Sequence, residues 1–317
     1  MMKDIKILAG TSHPKLIQDI CKILKTQPLK VTHTRFKNDN LFCRIEENIR
    51  DDDIFVIQTS VKPVNEYLME LYIMLDTAKY ASAGRITAVL PYFPYVRSDQ
   101  KDQPRIPITA RLVADQIALA GADRVLSLDF HSPQVHGFFR IPVDQLQAQA
   151  VLVEHVQQTK RKFDVVVSPD AGGVKRARAY AQRLGCSLAV MDKRREKNDD
   201  RVYMGFIIGD VQNKAALIVD DEISTGQTLF HTTDSLLKAG AVTVSAFCTH
   251  AILAGDCLEK LKKSKLEELI VTDSIPLLGK PSAKITILSV SSLLAQGIMR
   301  IHKGESLSEL FMHPFRI

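Results

Sequence analysis

Short apolar runs of strand length alternate with longer segments of helical period along almost the whole chain. The predicted strands span residues 5–9, 53–58, 85–90, 124–130, 164–168, 187–191, 215–220, 242–248 and 285–290. The predicted helices span residues 63–82, 108–120, 174–184 and 225–239. This alternation is typical of an α/β protein in which helices flank mainly parallel sheets. Because such sheets bind ligands beyond the carboxyl ends of their strands, polar residues that follow a strand are the first candidates for a functional site.

The two halves of the chain carry similar patterns. In the first half, strands end in VIQTS (56–60) and LDFHS (128–132). In the second half, strands end in VVVSPDAGG (165–173) and LIVDDEISTG (217–226). The likeness is either a chance feature of α/β repeats or the trace of a duplicated domain.

No Pro/Ser-rich linker separates the halves, so the predicted boundary lies in a short segment near residue 146, where IPVDQLQAQA is expected to begin a helix. This boundary divides the chain into an N-terminal domain (1–146), a C-terminal domain (147–300) and a tail (301–317). We expect the tail to pack back on the N-terminal domain.

Composition narrows the class of protein. The chain has 317 residues, of which 45% are hydrophobic and 25% charged, as in ordinary globular proteins. Its net charge of +6 does not demand nucleic acid, because a phosphorylated small molecule would serve as well. The five cysteines are scattered without a CxxC pair, which is typical of reduced thiols in the cytoplasm. No apolar run approaches the roughly 18 residues of a membrane span, and the first residues, MMKDIKILAG, lack a signal-peptide pattern. We therefore expect a cytoplasmic protein without a membrane or nucleic-acid partner.

The segment ALIVDDEISTGQT (216–228) carries the clearest chemical pattern. An apolar strand ends in Asp220 and Asp221 and is followed by a Ser/Thr/Gly loop and a helix. Backbone N–H groups at the start of that helix, with the loop hydroxyls, form a natural phosphate cradle, and Gly226 lets an anion approach closely. The two carboxylates would repel phosphate, so their partners are vicinal sugar hydroxyls or a metal ion. A sugar phosphate satisfies the whole motif, which is the pattern of phosphoribosyl-binding proteins.

Other segments resemble one enzyme family from residue 5 to about residue 311. These are PYFPYVRSDQKDQPRIPITARLVA (91–114), LDFHSPQVHGFFRIPVDQL (128–146), VVVSPDAGGVKRARAYAQRLG (165–185), MDKRR (191–195), LEELIVTDSIP (266–276) and RIHKGESLSELF (300–311). In order and spacing they resemble ribose-phosphate pyrophosphokinases, also called PRPP synthetases. The resemblance implies two tandem phosphoribosyltransferase-like domains. It also implies magnesium-dependent transfer of the pyrophosphoryl group of ATP to ribose 5-phosphate, in a homohexamer built from dimers.

The resemblance also assigns roles to residues of this chain. The implied metal ligands for Mg²⁺ are His131 and Asp170. The implied catalytic residues, which stabilise the transferred group, are Lys193 and Arg195. The implied contacts to ribose 5-phosphate come from Arg195, Asp220, Asp221, Ser224, Thr225, Gly226, Gln227 and Thr228. The implied contacts to ATP come from Phe36, Asn38, Asp39, Asn40, Arg97 and Ser98, with Phe36 stacking on adenine.

Physical chemistry is consistent with these roles. Pyrophosphoryl transfer needs positioning and neutralisation of charge more than covalent catalysis, which suits a lysine, an arginine and a divalent metal. The sequence contains no GxxxxGK[ST] loop and no GxGxxG. Plainer interpretations exist for single residues: a helix cap for Asp170, a backbone-bonded loop residue for His131, and a core residue for Phe36.

Two other functions compete with this one. A single-domain phosphoribosyltransferase would leave roughly 150 residues unexplained. A catalytically silent homologue would have lost Lys193, Arg195 or His131, and all three are present. The chain also departs from the family's usual residues: Asn40, Ser98 and Ser224 stand where Glu, Gln and Asp are usual.

Overall fold

The computed structural model describes residues 4–192, 206–277, 279, 282–308 and 310. The strands in chain order are β1 (Ile5–Ala9), β2 (Val31–Arg35), β3 (Leu41–Ile45), β4 (Asp53–Ile57), β5 (Arg85–Leu90), β6 (Arg124–Leu128), β7 (Val143–Leu146), β8 (Val165–Ser168), β9 (Ser187–Asp192), β10 (Phe206–Ile208), β11 (Ala215–Ile223), β12 (Thr243–Ala251), β13 (Glu268–Thr272) and β14 (Ile285–Leu288). The α-helices are α1 (Pro14–Leu24), α2 (Val64–Tyr80), α3 (Thr109–Ala120), α4 (Gln149–Thr159), α5 (Val174–Leu184), α6 (Gln227–Lys238), α7 (Cys257–Lys263) and α8 (Ser291–Lys303), and a 3-10 helix spans Pro133–Phe138.

The described residues form two compact units. The first comprises those of Met1–Ala148, Ser274–Pro276 and Ser289–Ile317, and the second those of Gln149–Asp273 and Leu277–Leu288. Each unit is built on its own parallel sheet flanked by helices, so the predicted α/β fold is confirmed.

The first unit contains a five-stranded parallel sheet in the order β1-β4-β5-β6-β7. Strands β4 and β5 are almost entirely buried and mostly apolar, as parallel strands covered on both faces require. On one face, the strand residues Leu8, Val56 and Ala88 share a core with Met74 of α2 and Ala114 of α3. A separate antiparallel pair, β2 and β3, forms a hairpin that the sequence analysis did not predict.

Helix α8 belongs to the first unit although it comes after the second unit in the chain. It packs against α1 and β7, and a Cβ added at Gly297 would lie 3.0 Å from Leu146 Cδ1 and 3.2 Å from Leu126 Cδ2. Leu294 and Ile298 of α8 are fully buried. The chain therefore returns to the first unit from residue 289, whereas the predicted C-terminal domain ran to residue 300. This burial of apolar side chains is the physical reason for the difference.

The second unit contains a seven-stranded sheet in the order β10-β9-β8-β11-β12-β13-β14. Only the edge strand β10 is antiparallel to its neighbour among the described strands of this sheet. From β8 the chain first adds β9 on one side and then β11 on the other, so the strand order reverses between β8 and β11. In open α/β sheets, ligands bind beyond the carboxyl ends of the strands at such a reversal.

Several predicted boundaries shift in the structure. The predicted helix at 174–184 coincides with α5, while the strand predicted at 215–220 continues to Ile223. The segment expected to begin a helix near residue 146 first forms strand β7, which pairs with β6, and α4 begins only at Gln149.

Across the described ranges, no helix is both long enough and apolar enough to cross a membrane.

Candidate active site

Asp220 and Asp221 lie near the carboxyl end of β11, where the strand order of the second sheet reverses. The Asp221 side chain is 3% exposed and that of Asp220 is 26% exposed. The Asp221 N–H donates to Asp220 Oδ1 at 2.9 Å, which holds the first carboxylate against the backbone. The structure thus places two adjacent acids at the position where this kind of sheet binds its ligands.

Arg176 of α5 contacts both acids, a contact that the sequence analysis did not predict. Its Nη1 donates to Asp221 Oδ1 at 2.8 Å and lies 3.4 Å from Asp220 Oδ1. One signal in the sequence pointed to it: the first turn of α5 contains Lys175 and Arg176 and no acidic residue. Because a helix N-terminus carries partial positive charge and favours acids, a basic residue there indicates an acidic partner elsewhere.

Electrostatics distinguish Asp220 from an ordinary carboxyl. Burial raises the pKa of Asp220 well above its usual value, and the neighbouring charge of Asp221 raises it further. The Arg176 guanidinium lowers the pKa of Asp220 and so opposes both effects. Within the described part of the chain, Arg176 is thus a cation that favours the ionised form of Asp220.

The loop that follows β11 has the form expected of an anion cradle. Gly226 precedes α6 with φ +73°, and a Cβ there would lie 2.6 Å from Phe230 Cε2 and 2.7 Å from Cys257 Sγ, so only glycine fits. The first intrahelical bond runs from Phe230 N–H to Gly226 O, so the N–H groups of the first helical turn precede it. Ser224 O accepts from Ala254 N–H at 3.0 Å, which anchors the loop. Thr225 and Gln227 are exposed, and Ser224 and Thr228 are half-buried.

Asp170 lies in the loop after β8, the strand that pairs with β11. Its Oδ1 accepts from Gly173 N–H at 3.0 Å and its backbone O accepts from Ser168 Oγ at 2.6 Å. The N-cap of α5 is Gly173, so Asp170 bonds to the residue before the helix and is not itself the cap that the plainer interpretation expected; its side chain is exposed. Lys193 and Arg195 follow β9, the next strand, and lie outside the described residues.

In the first unit, the loops after β5 and β6 are tied together by Asp99, which sequence reasoning did not single out. Asp99 is 6% exposed and accepts from Gln134 Nε2 at 2.9 Å and from Ser132 Oγ. These bonds connect the loop that carries Arg97 and Ser98 to the loop that carries His131. Arg97 is exposed, and Ser98 and His131 are half-buried. The structure thus connects three predicted site residues through one buried carboxylate.

The β2–β3 hairpin brings together the residues expected near adenine, and Phe36 N–H donates to Asn40 O at 2.9 Å at its tip. Phe36 is 51% exposed, so it is not a core residue, and its ring centroid lies 5.8 Å from that of Phe42. Asn38 Oδ1 accepts from Asn40 N–H at 3.3 Å, and Asp39 pairs with Arg35 at 2.5 Å. The tip therefore presents exposed aromatic rings beside amide side chains.

No group of three or more His, Cys, Asp or Glu side chains that could hold a metal ion occurs among residues 4–192, 206–277, 279, 282–308 and 310. A metal ion can also be bound by few protein ligands together with oxygens of a substrate. Mg²⁺ commonly binds in this way, keeping one or two carboxylates together with phosphate oxygens.

Comparisons with known proteins agree along the whole chain. The profile of the N-terminal domain of ribose phosphate pyrophosphokinase matches residues 5–121, and that of the phosphoribosyl synthetase-associated domain matches residues 197–312. Ribose-phosphate pyrophosphokinases of Clostridium acetobutylicum and Agrobacterium fabrum are 45% and 46% identical, over 98% and 97% of this chain and 98% and 100% of theirs.

A solved structure extends the match to three dimensions. The crystal structure of phosphoribosylpyrophosphate synthetase from Mycobacterium smegmatis superposes with a TM-score of 0.90 at 38% identity, covering 95% of this chain and 100% of that one. A single-domain transferase would not match over this length. From its sequence and its fold together, the chain belongs to the ribose-phosphate pyrophosphokinase family.

Proposed function

We propose that this protein transfers the β,γ-pyrophosphoryl group of ATP to the 1-hydroxyl of ribose 5-phosphate. The sugar oxygen forms a bond to the β-phosphorus, the bond from that phosphorus to the oxygen shared with the α-phosphate breaks, and AMP leaves. The hydroxyl proton is released, and the other product is 5-phosphoribosyl 1-pyrophosphate, a precursor for nucleotide biosynthesis. Family membership supports this reaction, and the observation that carries it is the acid pair followed directly by an anion cradle at the end of β11.

On the sugar side, Asp220 and Asp221 accept hydrogen bonds from the ribose hydroxyls. Ser224, Thr225, Gly226, Gln227 and Thr228 bind the 5-phosphate. The fixed φ of Gly226 and the N–H groups at the start of α6 support this assignment, because both favour close approach of an anion. Arg195 is proposed to contact the same sugar phosphate from the segment after β9.

On the nucleotide side, Phe36 stacks on the adenine ring, and Asn38, Asp39 and Asn40 surround its edge. The half-exposed ring of Phe36 supports this role, since a flat aromatic surface in solvent is suited to stacking. Arg97 and Ser98 bind the phosphates from the loop after β5.

Mg²⁺ is proposed to be held by His131 and Asp170 together with ATP phosphate oxygens. The residues fit this ion: the Asp170 carboxylate is exposed, and only its Oδ1 accepts a hydrogen bond from a described residue. When bound, the ion neutralises charge on the phosphate oxygens. Lys193 and Arg195 are proposed to stabilise the transferred group by their positive charge.

The protein is further proposed to act in the cytoplasm as a homohexamer built from dimers. Family resemblance supports the assembly, and exposed apolar side chains such as Met69 and Tyr80 of α2 are available for contacts between copies. Light scattering on the purified protein tests the hexamer.

The reaction is tested by mixing the protein with ATP, Mg²⁺ and ribose 5-phosphate and measuring AMP. We expect AMP only when the sugar is present, and a fall of about 1000-fold in Lys193→Ala. Lys238→Ala, which removes an exposed lysine of α6, is the matched control and should keep full activity. Formation of ADP would mean ordinary phosphoryl transfer. Bound sugar phosphate without any nucleotide product would mean a silent homologue.

A further inference from the structure

We propose that Arg176 is a positioning residue that keeps Asp220 and Asp221 ionised and aligned to accept hydrogen bonds from the vicinal hydroxyls of the sugar. This inference rests on the proposed function and adds to it a residue that does not itself contact the substrate. It concerns the binding of ribose 5-phosphate rather than the chemical step.

The geometry singles out Arg176 as a shared partner. One nitrogen, Nη1, lies 2.8 Å from Asp221 Oδ1 and 3.4 Å from Asp220 Oδ1, so the same N–H group faces both carboxylates. The arginine is mostly buried, with 24% of its side chain exposed, and α5 packs against both β8 and β11. A guanidinium held in this way fixes the relative orientation of two acids that extend from neighbouring residues of one strand.

Charge explains why the acids need this partner. Two carboxylates on adjacent residues repel each other, and one of them takes up a proton unless a cation is close. A protonated carboxyl loses acceptor capacity, whereas an ionised one accepts from two donors, as the hydroxyls of a vicinal diol require.

Two other titratable groups among the described residues near the acid pair, Cys248 and Glu222, do not replace the arginine. Cys248 of β12 lies opposite Asp220 in the strand register, and Glu222 follows on β11. Burial raises the pKa of the Cys248 thiol well above its usual value, and the acids raise it further, so this thiol stays neutral. Glu222 is an acid that is 7% exposed, and it adds negative charge. Arg176 is the cation that opposes the raised pKa of Asp220.

The position of Arg176 in α5 indicates that this arginine has a role other than stabilising the helix. It is the third residue of α5, in the first turn, where the helix dipole disfavours a cation. Asp170, just before the same helix, accepts from Gly173 N–H at 3.0 Å, a bond in which Arg176 takes no part.

The test compares Arg176→Gln and Arg176→Lys with Arg178→Gln, which removes an exposed arginine from the same helix. AMP formation is measured against ribose 5-phosphate concentration from pH 6 to pH 9. In Arg176→Gln we expect KM for ribose 5-phosphate to rise about tenfold at pH 8 and more at pH 6.5, with kcat changed less than about threefold.

The sign of the pH effect follows from the acids. Sugar binding needs the ionised pair, so kcat/KM falls as pH falls through the apparent pKa of the pair. Loss of Arg176 removes a positive charge that lowers the pKa of Asp220, so the fall begins at a higher pH. Lysine keeps the positive charge, so the pH profile of Arg176→Lys should match that of the wild type. Its KM for ribose 5-phosphate should still be raised about threefold, because an ammonium group lacks the planar set of donors of a guanidinium.

A sugar analogue separates positioning from a purely structural role. 2-Deoxyribose 5-phosphate lacks one of the vicinal hydroxyls, so its affinity, measured by calorimetry, should fall less in Arg176→Gln than that of ribose 5-phosphate. An equal fall for both sugars, or a pH profile in Arg176→Gln that matches that of Arg178→Gln, would overturn the proposal.

Failure of the proposed function gives a different result. If the wild-type protein forms no AMP, calorimetry of ribose 5-phosphate across pH still tests the role of Arg176. If Arg176→Gln does not fold, as its circular dichroism spectrum would reveal, the comparison uses Arg176→Lys. A shifted pH profile in a folded Arg176→Lys would then contradict the proposal, since its charge is unchanged.

Discussion

Each unit contains a buried carboxylate beside an arginine, and the two networks differ in how the arginine is shared. In the first unit, Asp53 is fully buried and accepts from Arg85 Nε at 2.8 Å and Arg85 Nη2 at 2.5 Å, and His302 Nδ1 lies 2.8 Å away. In the second unit, Asp220 and Asp221 share one nitrogen of Arg176. In the first network one acid contacts two basic side chains, whereas in the second one basic side chain contacts two acids.

The difference separates a structural network from a ligand site. Asp53 and Arg85 begin strands β4 and β5, at the amino edge of the sheet, where they join the end of α8 through Arg85 Nη2 and Ile301 O at 3.0 Å. Asp220 and Asp221 of the second unit lie near the carboxyl edge of their sheet. A carboxylate held by two nitrogens of one guanidinium at the amino edge of a sheet stabilises the fold, whereas acids at the carboxyl edge lie where such sheets bind their ligands.

The largest expected effect comes from breaking the network of the first unit. Arg85→Met leaves the buried carboxylate of Asp53 without its bidentate partner, so we expect the free energy of unfolding to fall by about 4 kcal/mol. Urea denaturation measures it. Arg178→Met, an exposed control, should change it by no more than about 0.5 kcal/mol. At temperatures where Arg85→Met is folded, kcat/KM should stay near the wild-type value; a fall of more than tenfold would mean that this network also serves catalysis.

The next effect tests the site in the second unit. Asp221→Asn removes a charged acceptor, and hydrogen bonds to charged groups contribute about 1.5–3 kcal/mol each, so kcat/KM for ribose 5-phosphate should fall about 100-fold. The free energy of unfolding should change by only about 1 kcal/mol, because the amide has the same shape and relieves repulsion from Asp220. AMP assays and urea denaturation measure the two quantities. If Asp221→Asn lost stability but kept its activity, Asp221 would have a structural role like that of Asp53, and the contrast between the two networks would be wrong.

The loop after the acids sharpens the comparison further. Gly226→Ala forces a residue with a Cβ into φ +73° and into contact with Phe230 and Cys257, so we expect a loss of about 2 kcal/mol in stability and a raised KM for ribose 5-phosphate. Gly185→Ala is the matched control: its φ is +68°, and nothing lies within 4 Å of the added Cβ. It should cost about 1 kcal/mol from backbone strain alone and leave KM unchanged. Equal effects of the two substitutions on KM would contradict a phosphate role for this loop.

The smallest effect concerns pH and stability. The pKa of Asp220 is raised above its usual value of 3.8, so the folded state binds this proton more tightly than the unfolded state does. The resulting stability is present below pH 3.8 and is lost as pH rises through the raised pKa. Asp220→Asn removes this dependence, so thermal denaturation at pH 8 should show a gain of about 1 kcal/mol over wild type. No gain at pH 8 would mean that Arg176 already compensates both charges in full.

Much of the fold was predictable because the signals were local. Buried parallel strands read as continuous apolar runs, so β1 and β5 were predicted with their observed bounds. Elements with mixed patterns are harder to predict: the β2–β3 hairpin places half-exposed residues on both strands. Strand β7 (VDQL), with two polar residues, lies in the segment expected to begin a helix. The acid pair and its loop were likewise predictable, since strand, acids, glycine and helix follow one another within 216–228.

By itself, then, the sequence determined the α/β class and the chemistry of each strand end, because both depend on residues that are neighbours in the chain. Only the tertiary structure decided which residues from distant parts of the chain contact the residues at those strand ends. Arg176 reaches Asp221 across 45 positions, and His302 reaches Asp53 across 249. Helix α8 joins the first unit because its apolar face is buried there. Such contacts depend on how sheets and helices pack, and no local pattern of residues encodes that packing.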